Sequence, residues 1–374
     1  MREAVIVSTA RTPIGKAFKG AFNDTQAQTL AGHAISEAVK RSGVAKEEID
    51  DVVLGAASQQ GTQQGNIARQ ALLRAGLPVS VAGMSLDRQC ASGMMAIATA
   101  AKEIIDDGMK ITVGGGVESV SLTRNEHFRT DRARDPWFET YLPTLYMTMI
   151  ETAENVAQRY GISREAQDEY SYQSQMRTAN AQGAGLLDTE IVPLKSQMKI
   201  KDKETGKILT KEVNLKNDEG NRTNTTLDGL SSLKPVFKDG IYLKKGNYIT
   251  AGNASQLSDG ASACVLMEAT EVEKRGLQPL GIYRGISVAG CEPDEMGIGP
   301  VFAVPKLLKQ HNLKINDIGL WELNEAFASQ VIYCRDKLEI PDDLLNVNGG
   351  SISIGHPFGM TGSRVVGHLS LIHI

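Results

Sequence analysis

The 374-residue sequence predicts an α/β protein, and three observations carry that prediction. Strand-like and helix-like segments alternate through the first third of the chain and resume after Gly246. A pattern of helix end, polar turn with a capping acid and strand occurs twice, at 46–55 and 315–324. The composition, 41% hydrophobic and 22% charged, is that of an ordinary globular chain and too apolar for disorder. Strands separated by helices need crossover connections, so the sheet should be largely parallel.

Taken in order, Ala4–Ser8 is an apolar run that reads as a buried strand, and Thr29–Arg41 has the apolar spacing of an amphipathic helix. Asp51–Gly55 reads as a strand, followed by a helix near Asn66–Arg74. Gly83–Leu86 reads as a short strand, Ala91–Ile105 as a helix and Ile111–Gly114 as a further strand. The pattern breaks between about Ser119 and Tyr248, where helical stretches at Thr152–Arg159 and Arg164–Ala181 give way to a polar segment. Residues 195–245 hold 12 Lys and Arg against 7 Asp and Glu. That excess suits a solvated surface insertion, or a basic lid for a polyanion such as a nucleotide phosphate. The second copy of the repeat then runs through the strand Leu320–Leu323. The first copy adds the strand Ile111–Gly114 after its last helix, whereas the second has no counterpart before Ile374.

Composition also excludes. Forty basic against 44 acidic residues argue against a nucleic-acid surface. No apolar run reaches the roughly 18 residues of a membrane span, and no leader signal is visible, so the expectation is a cytoplasmic chain without a membrane partner. Four Cys in a chain of this length are no disulfide framework, and no spacing marks a metal site.

Few residues stand out for chemistry. Cys90 lies between a short strand and a helix start, where unpaired N–H groups and the helix dipole would lower its pKa and favour a nucleophilic thiolate. The alternative is a buried structural Cys. Ala91, Ser92 and Gly93 beside it allow another backbone close approach. His356, in Gly355-His356-Pro357, is held by a stiff turn and is a candidate base; the alternative is a loop His bonded to a carbonyl. Asn324 and Glu325 follow a strand at the end where α/β proteins bind ligands, or one of them caps the next helix. Thr250–Ser255 and Ser258–Ala261 read as a small-residue loop. Cys264, in the apolar run Ala261–Met267, reads as core.

Together, Cys90-Ala91-Ser92-Gly93, Gly115-Gly116-Val117-Glu118-Ser119, Thr250–Ser255, Asn324–Ala328 and the Gly-His-Pro loop resemble the thiolase family, in order and along nearly the whole chain. The resemblance implies a thiolase fold: duplicated αβαβα halves in a layered sandwich, with residues 1–272 forming the first half around an inserted loop domain at 120–248, and 273–374 the second. It implies that Cys90 carries an acyl group, that His356 activates the thiol and that Asn324 holds an oxyanion-stabilising water. Arg222 and Ser255 would contact coenzyme A, and Met149 matches an acyl-pocket position. Coenzyme A would be a substrate, with no permanently bound cofactor, and the assembly a homodimer or homotetramer. The implied reaction is thiolysis of a 3-ketoacyl-CoA, or the two-carbon variant on acetoacetyl-CoA.

The resemblance also has gaps. Thr148 stands where some members carry a His. Family members have a second catalytic Cys in a C-x-G motif, and none follows His356. The expectation is therefore a second half lacking its last strand, with foreign residues from about Leu369, and a chain that turns over little or only binds coenzyme A.

Overall fold

The computed structural model describes residues 2–374. Among the described residues nine strands form: β1 (Ala4–Arg11), β2 (Gly15–Lys16), β3 (Asp51–Gly55), β4 (Ala82–Leu86), β5 (Ile111–Ser119), β6 (Leu194–Lys201), β7 (Ile208–Leu215), β8 (Ser258–Glu268) and β9 (Gly281–Ile282). Seven of them make one sheet in the order β4-β3-β5-β8-β1-β9, with β2 on β8. β3 runs parallel to β4 and β5, but β8 is antiparallel to both β5 and β1. The sheet is thus mixed rather than largely parallel, because β8 returns from the long insertion in the opposite sense.

Strand alternation sorts the apolar side chains onto two faces. Val52, Leu54, Val265 and Met267 pack with Leu30, Ile35 and Ala38 of the helix Ala27–Ser42 and with Ile67 and Leu72 of the helix Ile67–Arg74. Val53, Cys264 and Leu266 face the other way, onto Ile97, Ala100 and Ile104 of the helix Ser92–Ile105. Cys264 is core, as expected. Asn66 caps its helix by accepting from the Arg69 N–H at 3.1 Å.

Ser258–Ala261 is not a loop. These residues open β8, buried along its whole length. They suit a central strand, because Asp259, Gly260 and Ala261 lie opposite Ser119, Glu118 and Val117 of β5, and a Cβ on Gly260 would lie 2.8 Å from Met360 Sδ. The basic stretch is also more ordered than a solvated loop. Its first part is the β6–β7 hairpin, whose Leu194, Val213 and Leu215 pack on the first core. The later part is strapped to the helix Met149–Arg159 by two buried carboxylates. Glu151 accepts from the N–H groups of Ile241, Tyr242 and Leu243, and Glu154 from those of Asn247, Tyr248 and Ile249.

In the second half, residues 320–323 are extended, but they make a single bridge, Trp321 to Leu345, in place of a ladder. Among the described residues no strand lies between this segment and Gly281–Ile282. A backbone without a partner on its edge can stay extended but makes no sheet.

Candidate active site

Cys90 sits in a single 3-10 turn, Gln89–Ala91, that leads into the helix Ser92–Ile105. Gln89 has a φ of 47°, and this left-handed turn carries the thiol off the end of β4. The turn is held from both sides: Ser92 Oγ accepts from the Arg88 N–H at 2.7 Å and donates to the Gln89 carbonyl at 2.6 Å.

His356 arrives on a different element. Gly355, at a φ of 110° that a side chain rarely adopts, turns the chain out of the short helix Ser351–Ile354. The helix Phe358–Ile372 begins two residues after the imidazole. The two helices meet backbone to backbone: a Cβ on Gly93 would lie 2.6 Å from the Ser363 nitrogen and 2.7 Å from the Gly359 carbonyl oxygen. Small residues beside Cys90 therefore do what their size suggests, and the close approach sets the thiol-bearing turn against the imidazole-bearing one.

Hydrogen bonds assign the imidazole its tautomer. Thr361 Oγ1 donates to the Pro357 carbonyl at 3.0 Å, so it accepts from His356 Nδ1–H at 2.6 Å. Ser351 Oγ donates to Asn324 Oδ1 at 2.7 Å, which turns the amide nitrogen toward His356 Nε2 at 3.3 Å. Nε2 is thus the nitrogen with the lone pair. Burial, then the Arg364 charge, lower the imidazole pKa to about 3, so it rests neutral with Nε2 unprotonated.

Cys90 departs from expectation. Its thiol is pushed up to about 12, chiefly by burial and next by the charge of Glu118, against the weaker pull of Arg124. Desolvation outweighs the helix end, because a half-buried sulfur next to a carboxylate loses more hydration than the dipole returns. At rest the thiol and the imidazole are both neutral. Alkylation of Cys90 by iodoacetamide should accordingly climb about tenfold per pH unit from pH 7 to 10, followed by mass spectrometry of the Cys90 peptide. A plateau near pH 7 would mean a preformed thiolate.

Glu118 is the organising group that sequence reasoning passed over. It is wholly buried at the end of β5 and accepts four N–H bonds: Ala57 at 3.0 Å, Ser58 at 3.2 Å, Gly359 at 2.8 Å and Gln63 Nε2 at 2.9 Å. It ties the imidazole-bearing turn to the end of β3. The Gly-Gly-Val-Glu-Ser run marked the position, but nothing local says that its carboxylate gathers three distant segments.

Asn324 and Glu325 do not cap the following helix, Ala328–Leu338, which starts beyond Phe327. Both turn inward. Glu325 accepts from Tyr170 Oη at 2.9 Å, Ser174 Oγ at 2.7 Å and the Ile352 N–H at 3.0 Å, fixing the loop that presents Asn324.

Cys90, Asn324, Met149 and Thr361 line one cavity of about 330 Å³, whose walls are otherwise mostly apolar (Met94, Val156, Met296, Phe327). His356 stands immediately behind Asn324. Ser255 is at the rim, its N–H on the carbonyl of the cavity residue Ala326 at 2.9 Å. Arg222 lies outside, exposed, just past Gly220, which packs on Ser353 and Ile354. None of residues 195–245 lines the cavity. Thr148 caps the helix Met149–Arg159 and does not line it either.

A thiol and an amide on an apolar cavity, with a neutral imidazole bonded to that amide, suit acyl transfer through a thioester. Comparison with known proteins points the same way. The family model for the thiolase N-terminal domain matches residues 4–270, and that for the thiolase C-terminal domain matches residues 277–373. A 3-ketoacyl-CoA thiolase of Bacillus subtilis is 42% identical over all of this chain and 93% of its own length. The peroxisomal 3-ketoacyl-CoA thiolase B of Mus musculus is 39% identical over 97% of this chain and 83% of its own. The crystal structure of the Bacillus anthracis acetyl-CoA acetyltransferase superposes with a TM-score of 0.84 at 38% identity, covering 100% of this chain and 92% of that one. With both family models in sequence across the chain, and the Cys90 thiol and the Asn324 amide at one cavity, this chain belongs to the thiolase family.

Proposed function

We propose that the chain cleaves 3-ketoacyl-CoA with coenzyme A into acetyl-CoA and a shortened acyl-CoA, through an acyl group on Cys90. The observation that carries this reading is the shared cavity of Cys90 and Asn324, with His356 Nε2 directly behind the amide. As the sulfur attacks the 3-keto carbon, its proton passes to Nε2, so the resting neutral pair becomes charged only when an acceptor is present. The developing oxyanion is stabilised by donors in the cavity, with Asn324 holding a water there. Collapse breaks the carbon–carbon bond and releases the acetyl-CoA enolate. The thiol of coenzyme A then takes the acyl group from Cys90, and the imidazolium returns its proton to the leaving sulfur.

Met149, with Met296 and Val156, surrounds the acyl chain, and unbranched thioether side chains suit more than one chain length. Ser255 at the rim and Arg222 beyond it follow coenzyme A outward, as a substrate whose phosphates favour a cationic side chain. The same reading divides the chain after residue 272, with 120–248 inserted in the first half. The return of β8 to the first sheet supports that insertion.

A second reading, joining of two acetyl-CoA molecules by the same site in reverse, is favoured by the acetyl-CoA acetyltransferase among the superposing structures. One experiment covers both. Mixed with a 3-ketoacyl-CoA in the absence of free coenzyme A, the protein should release about one equivalent of acetyl-CoA and gain the acyl mass on the Cys90 peptide. An adduct elsewhere, or none, overturns the assignment. The rate of adduct formation with four-carbon against longer esters separates the two readings.

A further inference from the structure

The cavity at Cys90 has one wall on a helix and another on a turn. Met149 and Val156 come from the helix Met149–Arg159, and Met296 and Gly297 from the 3-10 turn Pro293–Ile298. The gap between these two elements is the width left for an acyl chain.

The turn's own backbone does not fix that gap. Its hydrogen bonds are local: the Glu295 N–H donates to the Glu292 carbonyl at 3.2 Å, and the Gly299 N–H to the Met296 carbonyl at 3.3 Å. The helix Ala328–Leu338 adds a weak contact, Cys334 Sγ on the Gly297 carbonyl at 3.8 Å. Stronger bonds come from the wall helix and the residue after it. Arg159 Nη2 donates to Asp294 Oδ2 at 2.7 Å, and Nη1 to Glu295 Oε2. Tyr160 Oη donates to the same Glu295 oxygen at 2.7 Å, and Asn155 Nδ2 to the Asp294 carbonyl at 3.0 Å. Tyr160 is itself stacked on Tyr333, with ring centroids 3.9 Å apart. An isolated surface ion pair contributes little. Here one guanidinium spans two carboxylates whose side chains are 14% and 13% exposed, and charge-assisted bonds of this kind are the stronger ones. The two held residues directly precede Met296, and the turn leaves helical geometry at Glu295 (φ −136°, ψ 29°). The clamp therefore acts one residue away from the thioether on the wall.

We propose that Arg159 is a positioning residue for substrate choice: by holding Asp294 and Glu295 it sets how far the Met296 wall stands from Met149 and Val156, and so which acyl chain lengths the cavity accepts. The inference rests on the thiolase reading above and goes beyond it, since Arg159 does not line the cavity. A wall held in place closes on a short chain, whereas a released wall gives way to a longer one.

The test follows formation of the acyl adduct on Cys90 of the full chain with a four-carbon and a ten-carbon 3-ketoacyl-CoA, each over a range of concentrations. In Arg159→Ala the ratio of the two second-order rate constants should shift toward the longer ester by about tenfold, the scale on which an apolar pocket discriminates by one methylene group. The shift should sit in the half-saturating ester concentration, with the limiting acylation rate within a few-fold of the unaltered chain. Arg159→Lys, which keeps the charge but not the fork, should recover part of the original ratio. A role in stability alone would lower the thermal midpoint and slow both esters alike, so an unchanged ratio in Arg159→Ala overturns the proposal. If Arg159→Ala does not fold, the double variant Asp294→Asn, Glu295→Gln, which keeps the side-chain sizes and removes the charges that Arg159 holds, must shift the ratio the same way, and an unchanged ratio there overturns it. An unaltered chain that forms no Cys90 adduct with either ester is a different result, which removes the thiolase reading and this proposal with it.

Discussion

Cys90→Ala should lower formation of the shortened acyl-CoA by roughly 10⁴-fold or more, the scale on which enzymes lose a covalent nucleophile. The loss should be confined to chemistry. Cys90 stands in a half-buried turn, the other three Cys take no part in the cavity, and removing one sulfur leaves the backbone hydrogen bonds of Ser92 intact. Coenzyme A affinity, measured by titration calorimetry, should therefore change by less than a few-fold, while the acyl mass disappears from the protein. An acyl adduct that persists in Cys90→Ala would move the nucleophile elsewhere and undo the functional reading. The neutral resting state adds a detail. Because both the thiol and the imidazole hold no charge at neutral pH, the unaltered enzyme should resist alkylation at pH 7 yet acylate readily, since bound substrate supplies the carbonyl whose developing oxyanion the cavity donors stabilise as the proton moves.

Gly93→Ala should destabilise the protein by about 3 kcal/mol or more, beyond the usual cost of one extra methyl group in a packed core. The added carbon would press on the Ser363 nitrogen, the Gly359 carbonyl oxygen and, at 2.8 Å, Ser363 Oγ. Two of these are backbone atoms of a helix, so no side-chain rotation relieves the contact. The helix Phe358–Ile372 must shift as a body, and the turn that carries His356 goes with it. The denaturation midpoint should fall, and Cys90 acylation should fall in the material that still folds. Ala91→Ser, at a neighbouring position without that contact, serves as the control. Unchanged stability in Gly93→Ala would mean that the two helices are not in backbone contact.

Much of the first half was legible in the chain. The alternating run of Asp51–Gly55 sorts its residues onto two faces, and Asn66 marks a helix start, because these signals act within a few residues. Cys90 and His356 were also legible, one as a thiol before a helix and the other as an imidazole in a stiff turn. The central strand β8 was not read whole: its first four residues are small enough to pass for a turn, and only packing on both faces reveals why they are small. The strapping of the basic segment by Glu151 and Glu154 was hidden for a different reason, since each carboxylate meets backbone N–H groups about 90 residues away.

The sequence also led to an expectation of weak turnover, drawn from the absence of a second thiol after His356. Release of acetyl-CoA and acylation of Cys90, measured on the full chain, test that expectation directly.

By itself the sequence determined which side chains are available for chemistry, the strand and helix periods that carry them, and the family to which their order belongs. Only the tertiary structure decided the protonation states and the partners. A thiol at a helix start reads as acidic when hydration is assumed. Folding removes that hydration and sets the Glu118 charge nearby, and the sign of the shift reverses. Local pattern fixes geometry over a few residues, whereas desolvation and charge depend on everything that the fold brings within a few ångströms.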